Sequence, residues 1–320
     1  MIAIDVMGGD FAPFAILEGA IKSAQSGIPI LLVGPKDLIL DYLISLPCDW
    51  KSLPLEIEDS HQMIEMGEEP VKAVLSKKQS SLVLAVNSVK VGKSRAVLSA
   101  GNSGALMAAA TFILGRVEGI DRAPIAGFLP GLKGGVLCLD LGANTECKPT
   151  SLEKFAELGS KYLQTSLNIK NPKIGLLSNG SENGKGSALV KEAFKLLEKS
   201  NLNFIGNVEP KDIIENKADI VVCDGFSGNV LLKSFEAMTF MFREMFALQL
   251  AKENDPAKKI VIDNWGKSFW ENVASLADWT KQGGGLLLGV NGTVVVAHGC
   301  SNAIAIENAI NLAWSASNKK

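Results

Sequence analysis

Residues 218–233 read ADIVVCDGFSGNVLLK. The apolar run 220–223 has the length of a buried strand, stops at Asp224 and Gly225, and passes through Ser227, Gly228 and Asn229 into a helical period that starts at Val230. Strand, glycine turn and helix in that order are the unit of a parallel α/β sheet. The turn then lies at the carboxyl edge of the strands, where N–H groups at a helix start face an anion. Four more stretches repeat the design: Met7-Gly8-Gly9-Asp10, Ser99-Ala100-Gly101-Asn102-Ser103-Gly104, Asp140-Leu141-Gly142-Ala143-Asn144, and 179–186, NGSENGKG. Five such loops converging on one edge would make a cleft for a phosphorylated or phosphate-like ligand.

The rest of the chain reads as the same alternation. Strands are expected at 2–7, 29–33, 53–57, 96–99, 125–129, 136–141, 174–177, 204–205 and 286–297. Helices are expected from Pro13, over 38–46, 70–91 with a break near 79–81, 105–114, 151–167, 188–197, 236–251 and 303–314. The expected fold is α/β, three layers with a mixed, mostly parallel sheet covered by helices on both sides. A single α/β domain over residues 1–320 is expected, with a distinct helical region at about 234–282. There Met238, Met241, Phe242, Met245 and Phe246 share one face, opposite Glu236, Thr239 and Arg243. A second piece sets Phe269, Trp270, Val273, Leu276 and Ala277 against Glu271, Ser275 and Asp278. An intramolecular core or a homodimer seam explains such faces. An amphipathic tip on lipid, with Lys252, Lys258, Lys259 and Lys267 near anionic head groups, is the alternative.

Composition narrows the function. Of 320 residues, 47% are hydrophobic and 31 are glycine, which suits an α/β enzyme. A formal net charge of −2 gives no global basic surface, so nucleic acid is not expected as a partner. The five cysteines form no CxxC pair, and the two histidines are far apart, so neither a disulfide framework nor a metal site is indicated and no cofactor is expected. The opening MIAIDVMGGD lacks a signal-peptide pattern, and no apolar run reaches the ~20 residues of a span. A reducing cytoplasm, with or without contact to a membrane surface, is the expected setting.

Several devices are missing. Gly225-Phe226-Ser227-Gly228-Asn229 is not a nucleophile elbow, Gly184-Lys185-Gly186 lacks the hydroxyl residue of a P-loop, and no GxGxxG opens the first helix. The remaining candidates handle an oxyanion. Lys185 beside Gly186 joins a cation to free N–H groups, or is a solvated turn lysine. Asn102, Asn144 and Asn229 orient a substrate oxygen, or cap turns and helices. His298, at a strand end, is a donor or general acid, or a structural histidine. Asp140 and Asp224 end strands, where they orient a partner or act as caps. Gly8, Gly9, Asp10, Ser103 and Gly104 complete the ligand-binding set. Cys223 and Cys300 are read as bystanders. Lys72, Lys77, Lys78 and Arg95 are docking charges or a solvated face.

Taken in order, these loops together with Gly206-Asn207-Val208-Glu209, Leu288-Gly289-Val290-Asn291-Gly292 and Ala297-His298-Gly299 resemble the bacterial phosphate acyltransferases of phospholipid synthesis, the PlsX family. The resemblance runs from the first strand to the last helix. It implies transfer of a fatty acyl group from acyl carrier protein to inorganic phosphate, which gives acyl phosphate for a membrane glycerol-3-phosphate acyltransferase. It further implies a fold similar to isopropylmalate and isocitrate dehydrogenases and phosphotransacetylase, a homodimer, and peripheral membrane association through helices near 234–282. Alternatives on the same residues are a phosphotransacetylase-like enzyme using acyl-CoA, a nicotinamide-dependent decarboxylating dehydrogenase, for which an arginine cluster is not evident, and a non-catalytic protein that docks acyl carrier protein.

Overall fold

The structure, a computed structural model, describes residues 1–277 and 283–318, with backbone alone for residues 268 and 270–277. Residues 278–282 of the second amphipathic piece, and the side chains of Trp270, Glu271, Val273, Ser275, Leu276 and Ala277, lie outside the described set.

The elements begin with β1 (Ile2–Asp5), α1 (Phe14–Gln25), β2 (Ile30–Gly34), α2 (Lys36–Ser45), β3 (Leu55–Asp59), α3 (Pro70–Ser76) and α4 (Ser81–Lys90). Next come β4 (Ala96–Ser99), α5 (Ser103–Ala109), β5 (Ile125–Gly131), β6 (Gly134–Leu139), α6 (Pro149–Leu167), β7 (Ile174–Leu177) and α7 (Ala188–Lys199). The chain continues through β8 (Phe204–Val208), α8 (Pro210–Ile214), β9 (Ile220–Val222), α9 (Gly225–Lys252) and α10 (Pro256–Ala277). It ends with β10 (Gly285–Leu287), β11 (Thr293–Val296) and α11 (Ala303–Ser317).

Two compact units divide the chain. The first holds Met1–Gly127, Lys161–Lys170 and Trp279–Lys320; the second holds Phe128–Ser160 and Asn171–Asp278. In the first, the strand order is β3-β2-β1-β4-β11-β10 and then the start of β5. The neighbours from β3 to β11 pair in parallel, and β10 is antiparallel to both β11 and β5. Successive residues of β1 face opposite ways, as a strand requires. Ile2 and Ile4 join Leu17, Ile306 and Ile310 in one buried cluster, while Ala3 joins Val86, Val97 and Leu106 in another. Both faces are therefore covered, α1 and α11 on one side, α4 and α5 on the other. In the second unit the order is β6-β9-β7-β8, all parallel, with β6 following β5 through a short turn. The α/β class and the mixed, mostly parallel sheet agree with the sequence.

Two differences concern elements near the site. The glycine stretch after β9 is not a loop. Helix α9 begins at Gly225, because Asp224 is its N-cap and its carboxylate accepts the Ser227 N–H at 2.9 Å and the Ser227 hydroxyl at 2.8 Å. Gly228 sits in the first turns against β6: an added Cβ there would collide with the Asp140 carbonyl oxygen and lie 2.9 Å from Cys223 Sγ. A residue that reads as a turn former is thus a packing requirement. Helix α8 was not anticipated; Glu209 and Asp212 form a reciprocal capping box around Pro210.

The long apolar face of α9 is not part of an intramolecular core. Met238, Met241, Phe242 and Met245 are all exposed, as are Ile260, Val261 and Trp265 of α10. The core reading fails for these residues, whereas Phe246 of the same face is half-buried against Gly266 of α10.

Gly228→Ala should cost about 1–3 kcal/mol by overpacking, read as a lower urea midpoint. Gly67→Ala, where a Cβ meets nothing within 4 Å, should move stability by less than about 0.5 kcal/mol. Equal effects at the two positions would contradict the close approach of α9 to β6.

Candidate functional site

Each unit gathers candidate residues at the carboxyl ends of its parallel strands. In the first unit β1, β4 and β11 are consecutive neighbours, so the segments that follow them, at 7–10, 99–104 and 297–301, emerge side by side. The Asp10 N–H donates to the Gly299 carbonyl at 2.8 Å, which joins the first and third. Gly8, Gly9, Asp10, Asn102, Ser103, Gly104 and His298 thus share one edge.

A carboxylate buried beneath that edge braces it. Asp5, only 3% exposed, accepts the Ser81 hydroxyl at 2.6 Å and the Ser99 hydroxyl at 2.8 Å, and Ser99 Oγ accepts the Gly101 N–H at 3.0 Å. Burial raises the Asp5 carboxyl above its ordinary value of 3.8, against the opposing pull of those hydroxyls and the Met7 N–H. Sequence reading placed no role on Asp5. Its signal was an acidic residue inside an apolar strand.

Asn102 is the N-cap of α5, accepting the Ala105 N–H at 3.0 Å. Its amide donates to the carbonyls of Glu65, Met66 and Glu68 at 3.3, 3.2 and 3.0 Å. The side chain is therefore engaged in holding segment 65–68 beside α5. Ser103 and Gly104 lie in the first turn of α5 instead of in a loop. His298 is partly buried, and its carbonyl accepts the Ser301 N–H at 3.0 Å.

In the second unit Asp140 is fully buried at the end of β6. It accepts the N–H groups of Gly142, Ala143 and Asn144 at 3.1, 2.9 and 2.7 Å, and the Asn144 amide at 2.8 Å. Asp140 is thus the organiser of its own loop, and Asp224 is a helix cap. Asn144 passes the order on, its carbonyl accepting the Gly225 N–H at 2.7 Å. Asn229 is exposed on α9, and a Cβ at Gly142 would lie 3.5 Å from its side chain. The start of α9 is not an open anion site: the N–H groups of Gly225, Ser227 and Gly228 go to the Asn144 carbonyl, the Asp224 carboxylate and the Asp224 carbonyl.

Segment 178–187, between β7 and α7, offers more. The Asn207 amide donates to the Glu182 carbonyl at 2.8 Å and the Lys185 N–H to the same carbonyl at 3.0 Å, so the loop is tied to the end of β8. Gly186 has φ +100°, a region that favours glycine. Lys185 is exposed, and among the described residues its ammonium has no ion-pair or hydrogen-bond partner. Ser187 caps α7, whose first turn follows directly. A cation, a glycine-shaped backbone and a helix start meet here, the combination that holds an oxyanion.

Beside this loop lies a cavity of about 970 Å3. Ser178, Asn179, Gly186, Ser187, Asp224 and Ser227 line it toward the strand ends, and apolar residues of α7, α8 and α9 line the remainder. Sequence reading named Gly186 and Asp224, and of the wall Met238 and Phe242 on the apolar face of 238–246.

Buried thiols take no part as nucleophiles. Cys223 is pushed well above its ordinary value by burial and then by the nearby Cys138, Asp140 and Asp224, and burial pushes Cys138 up as well. Of the docking charges, Lys77 is bound to Glu68 at 2.6 Å and to the Met63 carbonyl at 3.0 Å, while Arg95 reaches Asn318 at 2.6 Å. Lys72 and Lys78 remain on the surface. Among the described residues no cluster of His, Cys, Asp and Glu has the form of a metal site, and no helix is long and apolar enough to cross a membrane.

Strand-end loops of this kind on a mostly parallel sheet define an α/β enzyme that works on an anionic group. The family described as "Fatty acid synthesis protein" matches residues 1–320. A phosphate acyltransferase from Clostridium botulinum is 42% identical over 327 aligned positions, covering 100% of this chain and 95% of the relative. The chain belongs to this fatty acid synthesis family of phosphate acyltransferases. Among solved structures, the EutD phosphotransacetylase from Staphylococcus aureus matches with TM-score 0.60 at 15% identity, over 98% of this chain and 93% of that one. A 4-hydroxythreonine-4-phosphate dehydrogenase from Klebsiella pneumoniae matches with TM-score 0.56 at 14% identity, over 99% of each. At such identities the likeness is one of fold.

Because the raised value of Asp5 belongs to the folded state, its contribution to stability is complete below pH 3.8 and is lost as pH rises through the folded value. Asp5→Asn should remove that part of the pH dependence. Urea unfolding across this window should show the stability of wild type falling relative to the variant as pH rises; a constant difference would contradict a buried, perturbed carboxyl.

Proposed function

We propose that the enzyme moves a fatty acyl group from the thioester of acyl carrier protein to inorganic phosphate. A phosphate oxygen attacks the thioester carbonyl carbon, the C–S bond breaks, and acyl phosphate and the carrier thiol leave. The observation that carries this reading is Lys185, an exposed cation with no partner among the described residues, between glycines just before α7 and beside a mostly apolar cavity.

Lys185 and the N–H groups around Gly186 hold phosphate, so that positioning and charge neutralisation supply most of the acceleration. Asn229, on α9 of the same unit, stabilises the tetrahedral oxyanion; His298 is a donor on the edge of the first unit. Asp140, Asp224 and Asn144 position the loops of the second unit; Gly8, Gly9, Asp10, Asn102, Ser103 and Gly104 form the substrate-binding edge of the first. No general acid is required, because a thiolate leaves without one.

The exposed faces of α9 and α10 support two further assignments. Region 234–282 serves as a homodimer seam and as a contact with a membrane surface, at the cytoplasmic face, where a glycerol-3-phosphate acyltransferase consumes the acyl phosphate. Exposed Ile260 and Val261, near Lys258 and Lys259, supply the apolar and basic parts of that contact. Val261→Asp should lower co-sedimentation with anionic phospholipid vesicles while leaving transfer in solution intact; unchanged sedimentation would remove the membrane assignment.

The reaction is tested with long-chain acyl carrier protein and, in parallel, acyl-CoA, with and without phosphate, acyl phosphate being trapped as hydroxamate. Carrier release that depends on phosphate, with matching hydroxamate, is expected; turnover of acyl-CoA alone would replace the donor, and carrier binding without product would replace catalysis. Since a charged hydrogen bond is worth about 1.5–3 kcal/mol, Lys185→Ala should raise the KM for phosphate by about 10- to 100-fold. Asn229→Ala should lower kcat by about 10²-fold with the phosphate KM little changed, the effect of removing one oxyanion donor.

A further inference from the structure

Nothing in phosphate binding accounts for the cavity of about 970 Å3 in the second unit. Its two ends differ in chemistry. At the strand ends it is lined by Ser178, Ser187 and Asp224, with Val190 beside Gly186; along α8 and α9 it is lined by Ile214, Val230, Ser234, Phe235, Met238 and Phe242. The lining residues of α9 run from Phe226 to Phe242, about 24 Å of helix at 1.5 Å per residue. The cavity is therefore long and mostly apolar; Ser234 interrupts the α9 wall, but its hydroxyl is spent on the Val230 carbonyl at 2.8 Å.

Two observations point to an occupant. Phe226 is 64% exposed, Val230 51%, Met238 48% and Phe242 51%, so large apolar side chains on both sides of Ser234 face open space along the cavity. At the polar end the Ser178 hydroxyl is out of solvent yet has no hydrogen-bond partner. That hydroxyl lies next to the phosphate loop, since a Cβ at Gly186 would be 3.1 Å from it. An amphiphile with one hydrogen-bonding head and a long hydrocarbon tail satisfies both.

We propose that this cavity binds the acyl chain, with the thioester carbonyl accepting from Ser178 beside Lys185 and the methyl end directed along α9 toward Phe242. The proposal rests on the acyl-transfer reading above and adds where the chain lies and what limits its length. Met238 and Phe242, at the far end, act as the chain-length gauge. Nothing covalent is added to the transfer step already described.

The test compares octanoyl and palmitoyl thioesters of acyl carrier protein as donors. In the wild type, kcat/KM should rise with chain length by up to about fourfold per methylene, the equivalent of about 0.8 kcal/mol. Met238→Trp should lower the palmitoyl-to-octanoyl ratio of kcat/KM at least tenfold. Ile44→Ser, exposed on α2 outside the cavity, should leave the ratio unchanged. As a measurement independent of turnover and of any variant, a palmitoyl thioester carrying a diazirine near its methyl end is photolysed on the wild-type protein and the adducts are mapped. Adducts on Met238, Phe242 or Ile214 are expected. Labelling elsewhere, or a ratio that Met238→Trp leaves within twofold, overturns the proposal. If the wild type forms no acyl phosphate from any donor, the reaction reading fails, and the photolabel alone still decides whether the cavity takes the chain.

Discussion

Asp140 and its loop join the parts of the second unit. A carboxylate withdrawn completely from water must be supplied with donors, and the N–H groups of Gly142, Ala143 and Asn144 supply them. Closing that loop turns the Asn144 carbonyl toward Gly225 and brings the Asp140 carbonyl against Gly228, where no side chain fits. The start of the longest helix is thereby set against the end of β6, and the direction of α9 sets the wall of the cavity. Asp5 does the equivalent for the first unit, through Ser81 and Ser99. In both units the buried acid shapes a loop, leaving cations, amides and free N–H groups for the ligand.

That division explains why the fold was easier to read than the site. Apolar runs bounded by glycine loops specify strands, and the expected strands appear with shifts of a few residues at their ends, except that 286–297 is two antiparallel strands, β10 and β11, separated by 288–292. The break near 79–81 separates α3 from α4, where Ser80 caps the second helix. Residues 225–229 were misread because Gly, Ser, Gly and Asn have the composition of a turn; only the capping by Asp224 and the contact with β6 decide that they are helical. Helix α8 has five residues, too few for a periodic signal, although Glu209, Pro210 and Asp212 carried its capping chemistry.

For the site, residue type alone did not separate ligand-binding groups from supporting ones. Asn102 has the same loop context as a substrate-orienting amide but spends its donors on segment 65–68. Lys77 looked like a free surface charge and is bound to Glu68. The amphipathic period of α9 was clear, but a period does not say what covers the face. Here the face divides: Met238 and Phe242 border the cavity, whereas Met241 and Met245 are exposed away from its lining. One helix thus carries both a cavity wall and an exposed apolar face.

The central claim is direct transfer to phosphate with no acylated side chain, consistent with buried thiols whose ionisation is suppressed and with anion-holding loops in place of a nucleophile. The most direct measurement is intact mass of the protein after incubation with palmitoyl acyl carrier protein in the absence of phosphate. The account predicts an unchanged mass, no release of carrier, and prompt release once phosphate is added. A palmitoyl adduct on the protein that forms without phosphate and is discharged by it would contradict the account.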